Sequence, residues 1–112
     1  MTTPAEIIEE KNKEIMLLWE SKRMKELTTK FYAPNACLSD AGTSYNGHDE
    51  ILNACEKWQD GKIEVTPVNT SSPSDDCVIQ KCAGKWDGKD REGKVTWKKI
   101  DGDWKIVHEE WN

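Results

Sequence analysis

The segment FYAPNACLSDAG, residues 31–42, contains a carboxylate whose position admits two roles. Pro34 is expected to end a helix and residues 36–40 to form a short strand, so Asp40 stands where that strand stops. A carboxylate at the mouth of a pocket can abstract a proton beside a carbonyl group. An aspartate before Ala-Gly also stabilises a turn through its own side chain. The sequence leaves both roles open.

His108 is the second candidate for proton transfer, because histidine titrates near neutral pH. The alternation of a strand predicts that it shares a face with Trp104, Ile106 and Glu110. A histidine hydrogen-bonded to a neighbouring strand would account for it equally well. The other histidine, His48, is expected on the surface at a helix start. The spacing of these residues does not call for a metal, so we predict neither a metal site nor a cofactor.

Three helices are predicted to position these groups. Thr3-Pro4-Ala5-Glu6 has the form of a capping box with proline in the first helical position, which predicts a helix from Pro4 to about Glu20. A second helix is expected from a cap at Ser21 to a point before Pro34. A third is expected from His48 to Gln59, with Gly61 after its end.

After Gly61 the apolar residues alternate, which is typical of strands. Strands are predicted at 36–40, 63–68, 77–86, 94–100 and 103–111, with residues 87–93 as a hairpin loop and Asp101-Gly102 as a tight turn. Helices followed by a run of antiparallel strands indicate an α+β protein with helices on one face of the sheet. The length of 112 residues fits one domain, residues 1–112.

Three segments in this order resemble the nuclear transport factor 2-like superfamily, in its SnoaL-like and ketosteroid isomerase-like branch. They are Tyr32-Ala33-Pro34-Asn35-Ala36, Gly47-His48-Asp49-Glu50-Ile51 and Asp101-Gly102-Asp103-Trp104-Lys105-Ile106-Val107-His108. The resemblance implies a cystatin-like cone, in which three helices pack on the concave face of a curved antiparallel sheet and enclose a hydrophobic pocket. It also implies a homodimer formed through the outer face of the sheet.

The resemblance places Asp40 at the family's general-base position. It places Met16 where the family has an oxyanion-binding tyrosine, and Thr96 near the position of a protonated aspartate. A thioether cannot donate a hydrogen bond, and a threonine hydroxyl is a weak substitute for a carboxylic acid. Steroid isomerase activity is therefore not expected.

The aromatic residues suggest which side chains contact a ligand. Trp19 and Trp58 lie on apolar helix faces and are predicted to line the pocket, together with Tyr32 and Thr96. If Thr96 faces the pocket, alternation turns Trp97 outwards to a partner subunit.

The composition of the chain argues against several classes of binding partner. A net charge of −5 and a pI near 5.1 argue against nucleic acid and anionic membranes. Charged residues in the first 20 positions exclude a signal peptide there, so a cytoplasmic location is expected. The four cysteines lack the spacing of a zinc or redox site and are expected to be reduced.

Three functions remain open from the sequence. The first is a homodimeric protein that binds a small apolar molecule without catalysis. The second is an isomerase, lyase or cyclase that uses Asp40 or His108 as its base. The third is a dimerisation or assembly module, for which the cavity would be filled by side chains. Whether the chain is an enzyme is left open.

Overall fold

The computed structural model describes residues 3–61 and 63–112, which form three helices and a sheet. The elements in chain order are α1 (Pro4–Glu20), α2 (Met24–Phe31), β1 (Tyr32–Asp40), β2 (Thr43–Asn46), α3 (Gly47–Trp58), β3 (Ile63–Ser74), β4 (Cys77–Trp86), β5 (Lys89–Ile100) and β6 (Asp103–Trp111). The predicted α+β class and the packing of three helices on a curved sheet are confirmed. No helix in the described ranges is long and apolar enough to cross a membrane.

The sheet has the strand order β2-β1-β6-β5-β4-β3. Its pairs are antiparallel except for β1 and β6, which run parallel, so the prediction of a purely antiparallel sheet is wrong at this pair. The parallel pair joins the first strand to the last and leaves β2 and β3 at the edges. It also places the segment around Asp40 beside the end of the chain, since Asp40 is opposite Trp111.

Several strands are longer than the sequence suggested. The polar residues 69–74 continue β3 because they pair with β4, and pairing overrides the low strand propensity of serine and asparagine. The expected loop at 87–93 is a two-residue turn, since Asp87 and Gly88 both have positive φ. Residues 43–46, expected as part of a turn, form the edge strand β2.

The helix boundaries follow from caps and apolar faces. Thr3 Oγ1 accepts the backbone N–H of Glu6 at 3.2 Å. This is the bond that the capping box predicts. Ser21 ends α1 instead of starting α2, which begins after Arg23.

Trp97 belongs to the core between the helices and the sheet. It has no exposed surface and packs edge-on against Phe31, with ring centroids 6.4 Å apart. Trp97 was expected to face a partner subunit only if Thr96 faced the pocket; Thr96 does not line the cavity, and Trp97 faces the helices instead.

A bulge in β6 decides which of its side chains face the helices. Thr96 pairs with His108, but the next residue, Trp97, pairs with Ile106, so Val107 is an extra residue in β6. The predicted common face of His108, Trp104 and Ile106 is therefore wrong, since alternation is broken at Val107. Beyond the bulge, Glu109 and Trp111 take the inward positions.

Candidate functional site

A cavity of about 120 Å³ lies between the helices and the inner face of the sheet. Apart from one glutamate and two amide side chains, its walls are apolar, aromatic or sulfur-containing. The residues that line it are Asn12, Ile15, Met16, Trp19, Leu27, Tyr32, Leu38, Cys55, Trp58, Ile63, Val65, Pro67, Gln80, Cys82, Trp86, Val95, Ile106, Glu109 and Trp111. Every helix and five of the six strands contribute to the wall, so the cavity depends on the complete fold.

Helical periodicity explains the contribution of α1. Asn12, Ile15, Met16 and Trp19 are spaced by three and four residues and therefore lie on one face. Asn12 Nδ2 donates to Gln80 Oε1 at 2.8 Å, and Gln80 Nε2 donates to Thr70 Oγ1 at 3.2 Å. These bonds tie the amide groups of Asn12 and Gln80 to each other and to the sheet.

Aromatic rings form a continuous contact along one side of the cavity. Tyr45 meets Trp58 edge-on at 5.7 Å between centroids, Trp58 meets Trp86 at 5.4 Å, and Trp86 meets Trp111 at 5.6 Å. Ring pairs at such distances stabilise each other beyond simple area burial. The chain of rings joins α3 to three strands and fixes the shape of this wall.

Glu109 is the one lining residue with a formal charge among the described positions. Its Oε1 accepts the hydroxyl of Tyr32 at 2.6 Å, and its Oε2 accepts the indole N–H of Trp111 at 2.6 Å. No lysine or arginine in residues 3–61 or 63–112 forms an ion pair with it. Two neutral donors therefore hold the carboxylate in place.

Burial raises the pKa of Glu109, because removal from water disfavours its charged form. The hydrogen bonds from Tyr32 and Trp111 oppose that shift, and so does the nearby charge of His108. Burial, with Glu109 alongside, also raises the pKa of the Tyr32 hydroxyl well above its ordinary value. Tyr32 thus stays protonated and remains a hydrogen-bond donor.

Two cysteine thiols, Cys55 and Cys82, also line the cavity. Burial raises the pKa of Cys55 to about 12 and that of Cys82 to about 11, and the negative charge of Glu109 is a second, smaller cause of both shifts. Both thiols are therefore protonated at neutral pH and are poor nucleophiles. Cys37 and Cys77 are less buried, and the structure has all four cysteines free.

Two glycines make room for Trp111. A Cβ atom built on Gly93 would lie 2.5 Å from two ring atoms of Trp111, and one on Gly84 would lie 2.8 Å from the ring. The indole therefore rests directly on the backbone of β4 and β5. This contact holds the ring where its N–H reaches Glu109.

Asp40 is paired with Arg91 instead of pointing into the cavity. The guanidinium of Arg91 donates to Asp40 Oδ1 and, through Nε, to the carbonyl oxygen of Asn112 at 3.2 Å. The same guanidinium lies 4.1 Å from the centroid of the Trp86 ring. Asp40 and Arg91 thus close the end of the sheet beyond Trp86 and Trp111, and neither lines the cavity.

The structure brings together three of the predicted site residues, because Trp19, Tyr32 and Trp58 all line the cavity. Thr96 and His108 pair with each other in adjacent strands and do not line it. His48 is partly buried, and its Nε2 donates to the carbonyl oxygen of Tyr32 at 2.7 Å. Neither histidine belongs to a metal-binding cluster within the described part of the chain.

Sequence reasoning missed Glu109 and the role of Trp111. The signal was present in the segment Ile106-Val107-His108-Glu109-Glu110-Trp111, where Ile106 and Trp111 are separated by an odd number of positions. Strict alternation cannot turn both of them inwards, so a bulge between them is required. Recognising that bulge would have placed Glu109 on the cavity side of the sheet.

The comparisons with known proteins support the fold. No protein-family model matches the sequence, and no curated protein matches it either. An NTF-2-like protein of unknown function from Shewanella oneidensis MR-1 is 18% identical, with 97% of this chain and 98% of that chain covered and a TM-score of 0.84.

Two further solved structures carry functional descriptions. A protein from Shewanella frigidimarina, proposed to be a ketosteroid isomerase, is 16% identical over 92% of each chain, with a TM-score of 0.71. A proposed calcium/calmodulin-dependent protein kinase type II association domain from Thiobacillus denitrificans is 10% identical, with 99% of this chain and 94% of that chain covered and a TM-score of 0.74. Sequence identities this low support a shared fold and say nothing about function. The chain therefore has the nuclear transport factor 2-like fold.

Proposed function

We propose that this protein is a homodimer that binds a compact, mostly apolar small molecule in the cavity between its helices and its sheet. The observation that carries the proposal is the open space of about 120 Å³ inside a core of aromatic and aliphatic side chains. Tightly packed interiors have few voids larger than a water molecule. A space of this size thus favours ligand binding over a purely structural role.

The volume limits the ligand. Typical drug-sized ligands occupy pockets of about 300–1,000 Å³, whereas an apolar cavity of about 150 Å³ holds one benzene molecule. A space of about 120 Å³ is therefore matched to a five-membered ring or a short branched chain, and it is far too small for a steroid. Within this proposal Trp19, Tyr32 and Trp58 contact the ligand, the two tryptophans from apolar helix faces and Tyr32 from its motif position.

The proposed dimer uses the outer face of the sheet. Gln80 and Val95 line the cavity, so by alternation Ile79 and Thr96 lie on the opposite face. We call the side-by-side residues Ile79, Thr96, His108 and Cys37 the outer row. The outer row is only partly buried in one subunit, and a second copy would cover it.

Catalysis remains a second candidate function, with Asp40 or His108 as the predicted base. The geometry gives it less support than binding. Asp40 is engaged with Arg91, and His108 belongs to the outer row. An enzyme built on this cavity would have to move one of them or use another group.

Matched variants of two valines in β3 test the binding proposal. Val65 lines the cavity, whereas Val68 is 70% exposed. We expect Val65→Phe to fill the space and weaken binding of a neutral probe, cyclopentanol, by about tenfold or more, while Val68→Phe leaves it unchanged. Isothermal titration and tryptophan fluorescence measure the affinity, and thermal unfolding checks that both variants are folded. Equal affinities for both folded variants, or no binding to the unmodified protein, would refute the proposal.

A further inference from the structure

A charged group inside an apolar cavity needs a partner. Glu109 has no cationic side chain bonded to it among the described residues, although it lines the cavity. An unpaired buried charge is costly, and burial alone pushes the carboxyl towards its neutral form. Two donors nevertheless point at its two oxygens, which is the arrangement that stabilises a carboxylate.

The hydrogen-bonding capacity of Glu109 indicates what a ligand would supply. An ionised carboxylate offers about four acceptor positions, of which Tyr32 and Trp111 use two. Indole N–H groups can only donate, so Trp111 requires an unprotonated oxygen on Glu109. The remaining acceptor positions suit a ligand that donates hydrogen bonds and carries positive charge.

The surrounding rings suit the same kind of ligand. Trp19, Trp58, Trp86 and Trp111 line the cavity, and the face of an indole attracts cations through its quadrupole. The N–H atoms of Trp19 and Trp86 are buried without a partner in the described structure and are out of contact with the open space. These two indoles therefore present carbon atoms and ring surface to a ligand, not donors for an anion.

From this arrangement we propose that the cavity selects a small organic ammonium ion, whose N–H groups donate to Glu109 while its hydrocarbon part packs against the surrounding indole rings. The inference rests on the proposed binding function and adds the chemical class of the ligand. The net charge of −5 favours the approach of cations. The guanidinium of Arg91, which stacks on the Trp86 ring, is already balanced by the carboxylate of Asp40.

The pH dependence of binding follows from the neighbours of Glu109. Tyr32 on β1, Cys55 on α3 and Cys82 on β4 interact with it and stay protonated near neutrality, because burial raises the pKa of each. His108 is the remaining titratable neighbour, and it precedes Glu109 on β6. Affinity for an ammonium ion should be full above the raised pKa of Glu109 and should fall as the pH drops through it.

Three probes that share a five-membered ring distinguish a preference for cations from a preference for neutral ligands. They are cyclopentylammonium, cyclopentanol and cyclopentanone. Isothermal titration at pH 7 should give cyclopentylammonium an affinity about tenfold or more above that of cyclopentanol. Glu109→Gln should reduce this ratio to about one. Because the variant retains His108, it also shows which group causes the pH dependence.

The unmodified protein alone decides the question if Glu109→Gln does not fold. Tighter binding of cyclopentanol or cyclopentanone than of cyclopentylammonium would overturn the inference while leaving the proposed binding function intact. Binding of none of the three probes would refute both. An ammonium preference that persists in folded Glu109→Gln would also overturn the inference, since the charge would then act elsewhere.

Discussion

The indole N–H of Trp111 donates to Glu109 Oε2 at 2.6 Å, although the two residues are only two positions apart on the same strand. Both side chains point inwards because the bulge at Val107 precedes them. Their contact orients the carboxylate from one side while Tyr32 orients it from the other. A short segment at the end of the chain thus supplies both the charged group of the cavity and one of its two donors.

The support beneath Trp111 gives the first prediction. Gly93→Ala should lower the free energy of unfolding by about 1–3 kcal/mol, because the new methyl group overlaps the indole ring. Gly84→Ala should have a smaller effect, since its Cβ would approach fewer ring atoms closely. Chemical denaturation measures both values, and the indole N–H signal of Trp111 in NMR spectra reports its displacement. An equal or reversed order would contradict the role assigned to the glycines.

The carboxyl group of Glu109 gives the second prediction, which concerns stability as a function of pH. The pKa of Glu109 is raised in the folded protein, so the folded state binds the proton more tightly than the unfolded state does. Its contribution to stability is full below the unfolded pKa and is lost as the pH rises through the folded pKa. Glu109→Gln should therefore gain stability relative to the unmodified protein across that interval.

Denaturation of both proteins in a series of buffers between pH 4 and pH 8 measures this difference, and a constant difference would contradict it. Glu110→Gln is the matched control, because Glu110 is the next residue on β6 and lies outside the cavity lining. It should leave the pH dependence unchanged.

The ion pair of Asp40 with Arg91 gives the third prediction. Both side chains are largely buried, with 19% and 16% of their surface exposed. Asp40→Asn and Arg91→Gln should each lower the free energy of unfolding by about 1–3 kcal/mol, a range between exposed and fully buried pairs. The double variant should cost less than the sum of the single changes. Unchanged affinity of Asp40→Asn for cyclopentanol would fit a structural role, whereas loss of affinity in a folded variant would restore Asp40 to the site.

The outer row gives the fourth prediction. Ile79→Glu should convert a dimer to monomers, because a two-fold axis across this face would bring two added charges together. Leu17→Glu serves as the control, since Leu17 is 64% exposed on α1, away from the sheet. Sedimentation equilibrium distinguishes the two states. A dimer that survives Ile79→Glu would place the interface elsewhere, and a monomeric unmodified protein would refute the dimer itself.

The helices and most of the strands were predictable because their signals are local. The capping box at Thr3 and the apolar spacing of α1 specify that helix without reference to the rest of the chain. The parallel pairing of β1 with β6 was not predictable, since it joins segments that are distant in the sequence. The ion pair of Asp40 with Arg91 depends on that pairing as well as on the extended start of β5.

The site was predictable only in part for a related physical reason. Trp19 and Trp58 were found because helical periodicity fixes their faces, and Tyr32 was found through its motif. Glu109 was missed because one extra residue reverses the face of every later side chain in a strand. The sequence shows clearly where apolar and polar residues alternate along a strand. It reveals a bulge only when an apolar residue, here Trp111, stands at a position that alternation would turn to the outer face.

The burial of the two cavity thiols has a consequence for how the interior can be observed. Cys55 and Cys82 are almost completely buried, so an alkylating reagent reaches them only when the cone opens. Cys77 is more accessible, so it should be modified earlier and can be blocked in a first step. Cys37 lies in the outer row and would be covered in the proposed dimer. The later, slower labelling of Cys55 and Cys82 then measures the rate at which the helices and the sheet separate. A slower rate in the presence of an added molecule would show that the molecule occupies the cavity, without any optical signal.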